Sequence, residues 1–151
     1  MENERRKWQN PERILAEIGL KAGFAFIDVG CGDGYFSLPA ARIVGEQGRV
    51  YAVDISKEAV GRLKNKAKKE RLKNLITKVG WAEQTIFCTA CADVIFYGIV
   101  LHDFDDPEKV LANAGKMANP NGKWLILIGK RSLCRLGRLL GSDSMRNAPR
   151  N

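Results

Sequence analysis

Ile27-Asp28-Val29-Gly30-Cys31-Gly32-Asp33-Gly34 is the stretch whose reading decides the fold. Upstream of its glycines, Phe24 to Val29 is a short apolar run, the pattern of a strand buried on both faces of a parallel sheet. Downstream, Phe36 to Val44 reads as a helix that tolerates Pro39 because it falls near the first turn, and Gly45 and Gly48 close it. A strand that turns on glycines into a helix sets the strand's carboxyl end and the helix N-terminus around one crevice, where open α/β sheets bind ligands. Glycine suits that turn because any Cβ would hold a ligand away from the backbone, and because tight turns call for positive φ.

The same alternation continues on either side. Asn10 before Pro11 is a helix start, a side-chain cap followed by a residue whose missing N–H is harmless in the first turn. Ile14, Leu15 and Ile18 give that helix one apolar face, and Gly19 ends it. Val50 to Val53 is a second buried strand ending in Asp54, and Ser56 caps a long helix running to about Lys69. Leu75 to Val79 and Val94 to Tyr97 are the third and fourth strands. Asp106-Pro107 opens a helix through Met117, and Asn119-Pro120-Asn121-Gly122 is a turn before a fifth strand, Lys123 to Ile128. Strand alternates with helix throughout, so the expected fold is α/β, a doubly wound sheet of about five parallel strands with helices on both faces.

At 151 residues the chain fits one domain, and 45% hydrophobic with 28% charged residues is a globular composition, neither disordered nor collagen-like. The longest apolar run, Val94 to Leu101, is too short to span a bilayer, and Met1 to Lys7 carries no apolar export segment. These features predict a cytoplasmic protein with reduced thiols. Of the net charge of +8, residues 130–151 hold +5, from Lys130, Arg131, Arg135, Arg138, Arg146 and Arg150 against Asp143. A second basic stretch, Lys57 to Lys73, reads as the solvated face of a helix; its lack of interleaved aromatics argues against nucleic acid as a partner.

Spacing narrows the ligand. Dinucleotide folds use GxGxxG, which here would need glycine at Tyr35, whereas the glycines stand at 30, 32 and 34. A nicotinamide oxidoreductase is thereby disfavoured. Asp54 ends the next strand twenty residues past Gly34, where its two oxygens suit both hydroxyls of a ribose. An adenosine-bearing ligand follows; the plainer alternative is an α/β domain of other function whose glycines merely make a tight turn.

On these residues the chain resembles the class I S-adenosylmethionine-dependent methyltransferases, especially the small-molecule branch with the ubiquinone/menaquinone-type enzymes. The likeness runs from about Arg13 to Gly122. Ile27 to Gly34 looks like the family's first motif, and Val50 to Ser56 like its ribose-binding strand. Ala92 to Phe96 with Val100 to Phe104 is similar to its fourth strand and following loop, and Pro120 to Lys123 stands where Pro-Gly-Gly is usual. The resemblance implies a Rossmann-like methyltransferase sheet, S-adenosylmethionine as methyl donor and a small-molecule acceptor. It implies that Asp28 helps hold the methionine ammonium, and that the backbones of Gly30 and Gly32 line the donor, with Cys31 and Gly34 in the same turn. Asp54 would then bind the ribose hydroxyls, with Ile55 packing on adenine and Ala82 beside it. Family members often place an Asp before an Ala-Glu pair to contact the adenine amino group. Here Trp81 precedes Ala82 and Glu83, so that adenine stacks instead of being hydrogen-bonded, or affinity is weak.

Methyl transfer from a sulfonium needs the acceptor held within attack distance, and a general base only if the acceptor is protonated. His102, the sole histidine, follows the fourth strand and, with Asp103, is the candidate for that catalytic role; the other reading of His102 is a loop residue shaping the pocket. Cys88 and Cys91 form a C-x-x-C, but structural zinc wants four ligands, and Cys31, Cys134 and His102 provide no second pair at ligand spacing. No metal site is expected, and capture of a soft metalloid substrate by the pair is the alternative to coincidence. Trp8, Trp81 and Trp124 read as packing or pocket residues.

The resemblance also implies seven strands, the last two an antiparallel hairpin beside the fifth. Past Ile128 only 23 residues remain, and Arg131 to Asn151 shows no strand pattern, so those two strands are expected to be missing. The expected organisation is a methyltransferase domain at 1–129 and a basic tail at 130–151. Leu133, Leu136 and Leu140 would face one way on a basic helix, with Arg135 and Arg138 opposite, covering the edge of strand five or binding an acidic surface. Alternatively the tail is disordered or out of frame, since synonymous codons read two nucleotides further on can spell the family's continuation. An uncovered strand edge predicts self-association. The rival function is a truncated, non-catalytic S-adenosylmethionine-binding domain whose basic tail contacts nucleic acid or another partner.

Overall fold

The computed structural model describes residues 2–98, 104–128 and 132–136. A short polar helix, α1 (Glu2–Trp8), precedes α2 (Pro11–Glu17). The Asn10 side chain accepts the Arg13 N–H at 2.9 Å, so the expected cap starts α2. β1 (Ala25–Val29) then leads through the glycine turn into α3 (Ser37–Val44), and β2 (Arg49–Asp54) leads into α4 (Lys57–Lys69). β3 (Leu75–Val79) is followed by a 3-10 turn (Ala82–Gln84), and β4 (Ala92–Gly98) precedes α5 (Pro107–Met117). Ser56 Oγ accepts the Ala59 N–H at 3.2 Å and Asp106 Oδ1 the Lys109 N–H at 3.1 Å, the two caps read from the sequence.

Five strands run parallel in the order β3-β2-β1-β4-β5, the last being Ala118–Ile128. Alternate residues of each central strand meet helices on opposite faces, which is why the strands read as continuous apolar runs. Phe26, Val50, Val94 and Phe96 pack with Leu15, Phe36 and Val44 from α2, α3 and the turn before it. Ala52 packs on the same side with Val60, Leu63 and Ala67 of α4. Ile27, Val29, Val53, Ile95 and Tyr97 face Val110, Ala114 and Met117 of α5. Phe26 and Phe96 are wholly buried with ring centroids 5.9 Å apart, and each large side chain buried this way contributes about 1.5–3 kcal/mol.

Two expectations are corrected at the far edge. The turn expected at Asn119 to Gly122 lies inside β5, at an irregularity in its pairing with Ala92 to Val94. Asn119 fixes it by donating from Nδ2 to Asp93 Oδ1 at 2.6 Å and accepting the Asn121 N–H at 2.9 Å. A Cβ on Gly122 would stand 2.7 Å from the Ala92 carbonyl oxygen, so only glycine lets the two strands close there. The second correction is β6 (Ser132–Leu136), antiparallel to β5, where neither a strand nor an end to the helix reading of Leu133 and Leu136 was expected. The backbone groups along the outer edge of β5 demand partners, and that demand outweighs a segment with weak strand pattern. The open edge expected at β5 is therefore paired, and β3 and β6 are the outer strands among the described residues. Arg138, Leu140 and the rest of the basic tail lie outside the described residues.

Candidate functional site

The carboxyl ends of β1, β2 and β3 and the approach to α5 enclose a cleft of about 220 Å³. Four residues singled out in the sequence, Gly30, Asp54, Ile55 and Ala82, come together on its wall. They come from three separate turns. Gly30 follows β1, Asp54 and Ile55 close β2, and Ala82 opens the 3-10 turn after β3.

Asp54 is half-buried, and both of its carboxylate oxygens are anchored: Oδ2 accepts the Gly32 N–H at 2.9 Å and Oδ1 the Ser56 N–H at 2.8 Å. Each oxygen keeps a further lone pair, so an anchored, oriented carboxylate stands at the cleft. The glycine turn itself has little N–H left to offer. Gly30 and Cys31 both donate to the Val53 carbonyl, at 2.9 and 3.0 Å, and Gly34 donates to Cys31 at 3.1 Å. Phosphate-binding turns work by aiming such amides at the ligand. This one directs the Gly30, Cys31, Gly32 and Gly34 amides inward, so it is poorly equipped to hold a pyrophosphate.

Below the turn, Gly34 sits at φ +97°, where a Cβ would come within 2.4 Å of Leu63 Cδ1 on α4. Cys31 is buried, and burial with the nearby Asp28 and Asp54 carboxylates pushes its thiol well up, so it remains a neutral packing thiol. Asp28 is not on the cleft wall: it is 2% exposed and accepts a 2.6 Å hydrogen bond from Ser37 Oγ at the start of α3. Burial outweighs that bond and pushes its carboxyl up to about 7. His102 and Asp103 lie outside the described residues.

Cys88 and Cys91, expected as reduced thiols, are joined in a disulfide with Cα atoms 5.9 Å apart. Separated by two residues and placed by the Ala90 and Cys91 amides, which donate at 2.9 Å to Lys116 and Met117 at the end of α5, they are held within bonding reach. This loop enters β4 at its amino end, at the opposite edge of the sheet from the cleft, so the metalloid reading has no support from position. Among the described residues no group of three or more His, Cys, Asp or Glu is arranged to hold a metal ion, and no helix is long and apolar enough to cross a membrane.

Val53, Gly80, Glu83, Phe104 and Asp105 complete the cleft and were not singled out as site residues in the sequence. The available signal was position, because Gly80 directly follows β3 and Phe104 and Asp105 precede α5, both on the edge where β1 and β2 end. Trp81 also lines the cleft, and its side chain is 53% exposed, so it is a pocket residue rather than a packing one.

Residues 20–136 match the family described as methyltransferase domain. The chain belongs to this family. Among relatives of the methyltransferase domain, a probable cobalt-precorrin-6B C(15)-methyltransferase of Pyrobaculum calidifontis is 39% identical over 56% of this chain and 44% of its own length. A demethylmenaquinone methyltransferase of Shouchella clausii is 32% identical over 75% of this chain and 48% of its own. The chain thus spans about half the length of the curated relatives it matches. A crystal structure of an S-adenosylmethionine-dependent methyltransferase from Aquifex aeolicus superposes with a TM-score of 0.75 at 32% identity, covering 81% of this chain and 65% of that one. The fold is that of the S-adenosylmethionine-dependent methyltransferases.

Proposed function

We propose that the chain is an S-adenosylmethionine-dependent methyltransferase acting on a small-molecule acceptor. The observation that carries this reading is Asp54, fixed by two backbone amides at the mouth of a cleft walled by the glycine turn and Ile55. Its free lone pairs suit the two ribose hydroxyls, and the spent amides of the turn favour a sulfonium and an ammonium over a pyrophosphate. When bound, the sulfonium supplies an already activated methyl group, so the work left to the protein is positioning.

In this reading Asp54 takes the ribose, Ile55 and Ala82 wall the adenine, and Gly30 and Gly32, supported by Cys31 and Gly34, give the backbone surface beside the sulfonium. Asp28, which the resemblance implies for the amino-acid end of the donor, is buried against Ser37 off the cleft wall, so its part in this reading is to support the turn from below. His102 and Asp103 serve a protonated acceptor by removing its proton; an acceptor with a free lone pair needs neither. Calorimetric titration with S-adenosylhomocysteine, together with transfer of labelled methyl from S-adenosylmethionine into a small-molecule extract, tests the proposal. It expects binding and transfer by the wild type and loss of both in Asp54→Ala. A wild type that binds no S-adenosylhomocysteine contradicts it.

A further inference from the structure

We infer that Trp81 sets how the base is recognised: the cleft holds a purine by its faces, through Trp81 and Ile55, and does not read its 6-amino group. The inference rests on the donor-site reading above. Ile55 and Trp81, 62% and 53% exposed, are the two most exposed large apolar side chains among the described residues, and both line this one cleft, where adjoining apolar surface marks a ligand-binding face. They close neighbouring strands: Gly80, just before Trp81, donates its N–H to the Asp54 carbonyl, just before Ile55, at 3.0 Å. A base attached to a ribose on Asp54 therefore arrives beside both.

The platform under Trp81 is firm. Thr85 Oγ1 donates to the Trp81 carbonyl at 2.7 Å, and Asn113 of α5 donates to the Glu83 carbonyl at 2.6 Å, pinning the 3-10 turn to the helix. A backbone fixed before binding lowers the entropy lost when a ring settles on the indole it carries. Stacking also tolerates changes at the ring edge, because any purine presents a π-face.

The carboxylates on the wall leave the edge largely unread. Asp54 belongs to the ribose. Glu83 is turned inward: Oε1 faces the Asp106 N–H at 3.4 Å, and Oε2 is closed off from solvent with no hydrogen-bond partner among the described residues. Of the three cleft carboxylates among the described residues only Asp105 is exposed, which makes it the control.

The experiment is calorimetric titration of the full chain with S-adenosylhomocysteine and with its 6-deamino analogue, in which hydrogen replaces the amino group. The wild type is expected to bind the two within about threefold of each other, since no amino contact is lost. Trp81→Ala is expected to weaken both by tenfold or more, in line with about 1–3 kcal/mol for loss of one stacked base, and Trp81→Phe to retain most of the affinity. Melting curves of both variants check that the fold is kept. A wild-type preference above tenfold for the amino compound, abolished in Asp105→Asn, overturns the inference in favour of edge recognition. Unchanged affinity in Trp81→Ala overturns it as well. Failure of the wild type to bind either compound removes the donor-site reading itself.

Discussion

β1 and β2 lie side by side, and each carries an aspartate near its carboxyl end, yet the two carboxyl groups live in different surroundings. Asp28 pairs in register with Ala52, so Asp54 stands two residues further along, where the sheet gives way to the cleft. Asp28 stays inside the layers, with one hydroxyl partner and a carboxyl pushed up to about 7 by burial. Asp54 reaches the mouth, with a backbone amide on each oxygen and room for more. Two residues of register thus separate a proton-holding buried acid from a ligand-ready carboxylate, although nothing in the residue type distinguishes them.

The sharpest way to break this contrast is to remove the edge carboxylate. Asp54→Ala is expected to weaken S-adenosylhomocysteine by at least about a hundredfold, because two hydrogen bonds to a charged acceptor are lost at about 1.5–3 kcal/mol each. Calorimetry reads the loss, and an affinity within a few-fold of wild type would place the ribose elsewhere. Next in size is the turn that joins the two regions. Gly34→Ala forces a Cβ to 2.4 Å from Leu63 Cδ1 at φ +97°, and a loss of about 1–3 kcal/mol is expected, several degrees in thermal midpoint. An unchanged midpoint would mean that the α4 packing is slack.

Asp28 gives the contrast a pH signature. Its folded value, about 7, lies above the ordinary 3.8, so between those limits the folded chain keeps a proton that the unfolded chain has lost. Its contribution to stability is present below about 4, falls as pH rises through that window by up to tenfold in folding constant per pH unit, and levels off above 7. Urea denaturation of wild type and Asp28→Asn from pH 4 to pH 8 compares the two; parallel curves would contradict a buried protonated acid. The smallest expected effect is that of Ser37→Ala. The Ser37 hydroxyl favours the ionised form of Asp28, and its removal moves the inflection of that curve upward.

Much of this contrast was legible in the sequence. The glycines at 30, 32 and 34 and the acid ending the next strand located both carboxylates, and Asn10, Ser56 and Asp106 marked three helix starts, because caps and tight turns are local chemistry. What stayed hidden depends on contacts between distant segments. β6 exists because β5 offers an edge, and Asn119 to Gly122 lies in a strand because Asp93 and Ala92 meet it there. The inward turn of the Glu83 carboxylate and the separation of Asp28 from the cleft follow from the packing of α5 and α3, which composition does not encode. The disulfide between Cys88 and Cys91 likewise reflects how the end of α5 holds their loop, not the spacing alone.

The central claim is that the glycine turn and Asp54 form a site for a cationic adenosyl donor rather than for a dinucleotide. Titrating the wild-type chain by calorimetry with S-adenosylhomocysteine and, in parallel, with NAD tests it most directly. One equivalent of S-adenosylhomocysteine bound and no heat of binding from NAD are expected; saturable NAD binding, with S-adenosylhomocysteine silent, would contradict the claim.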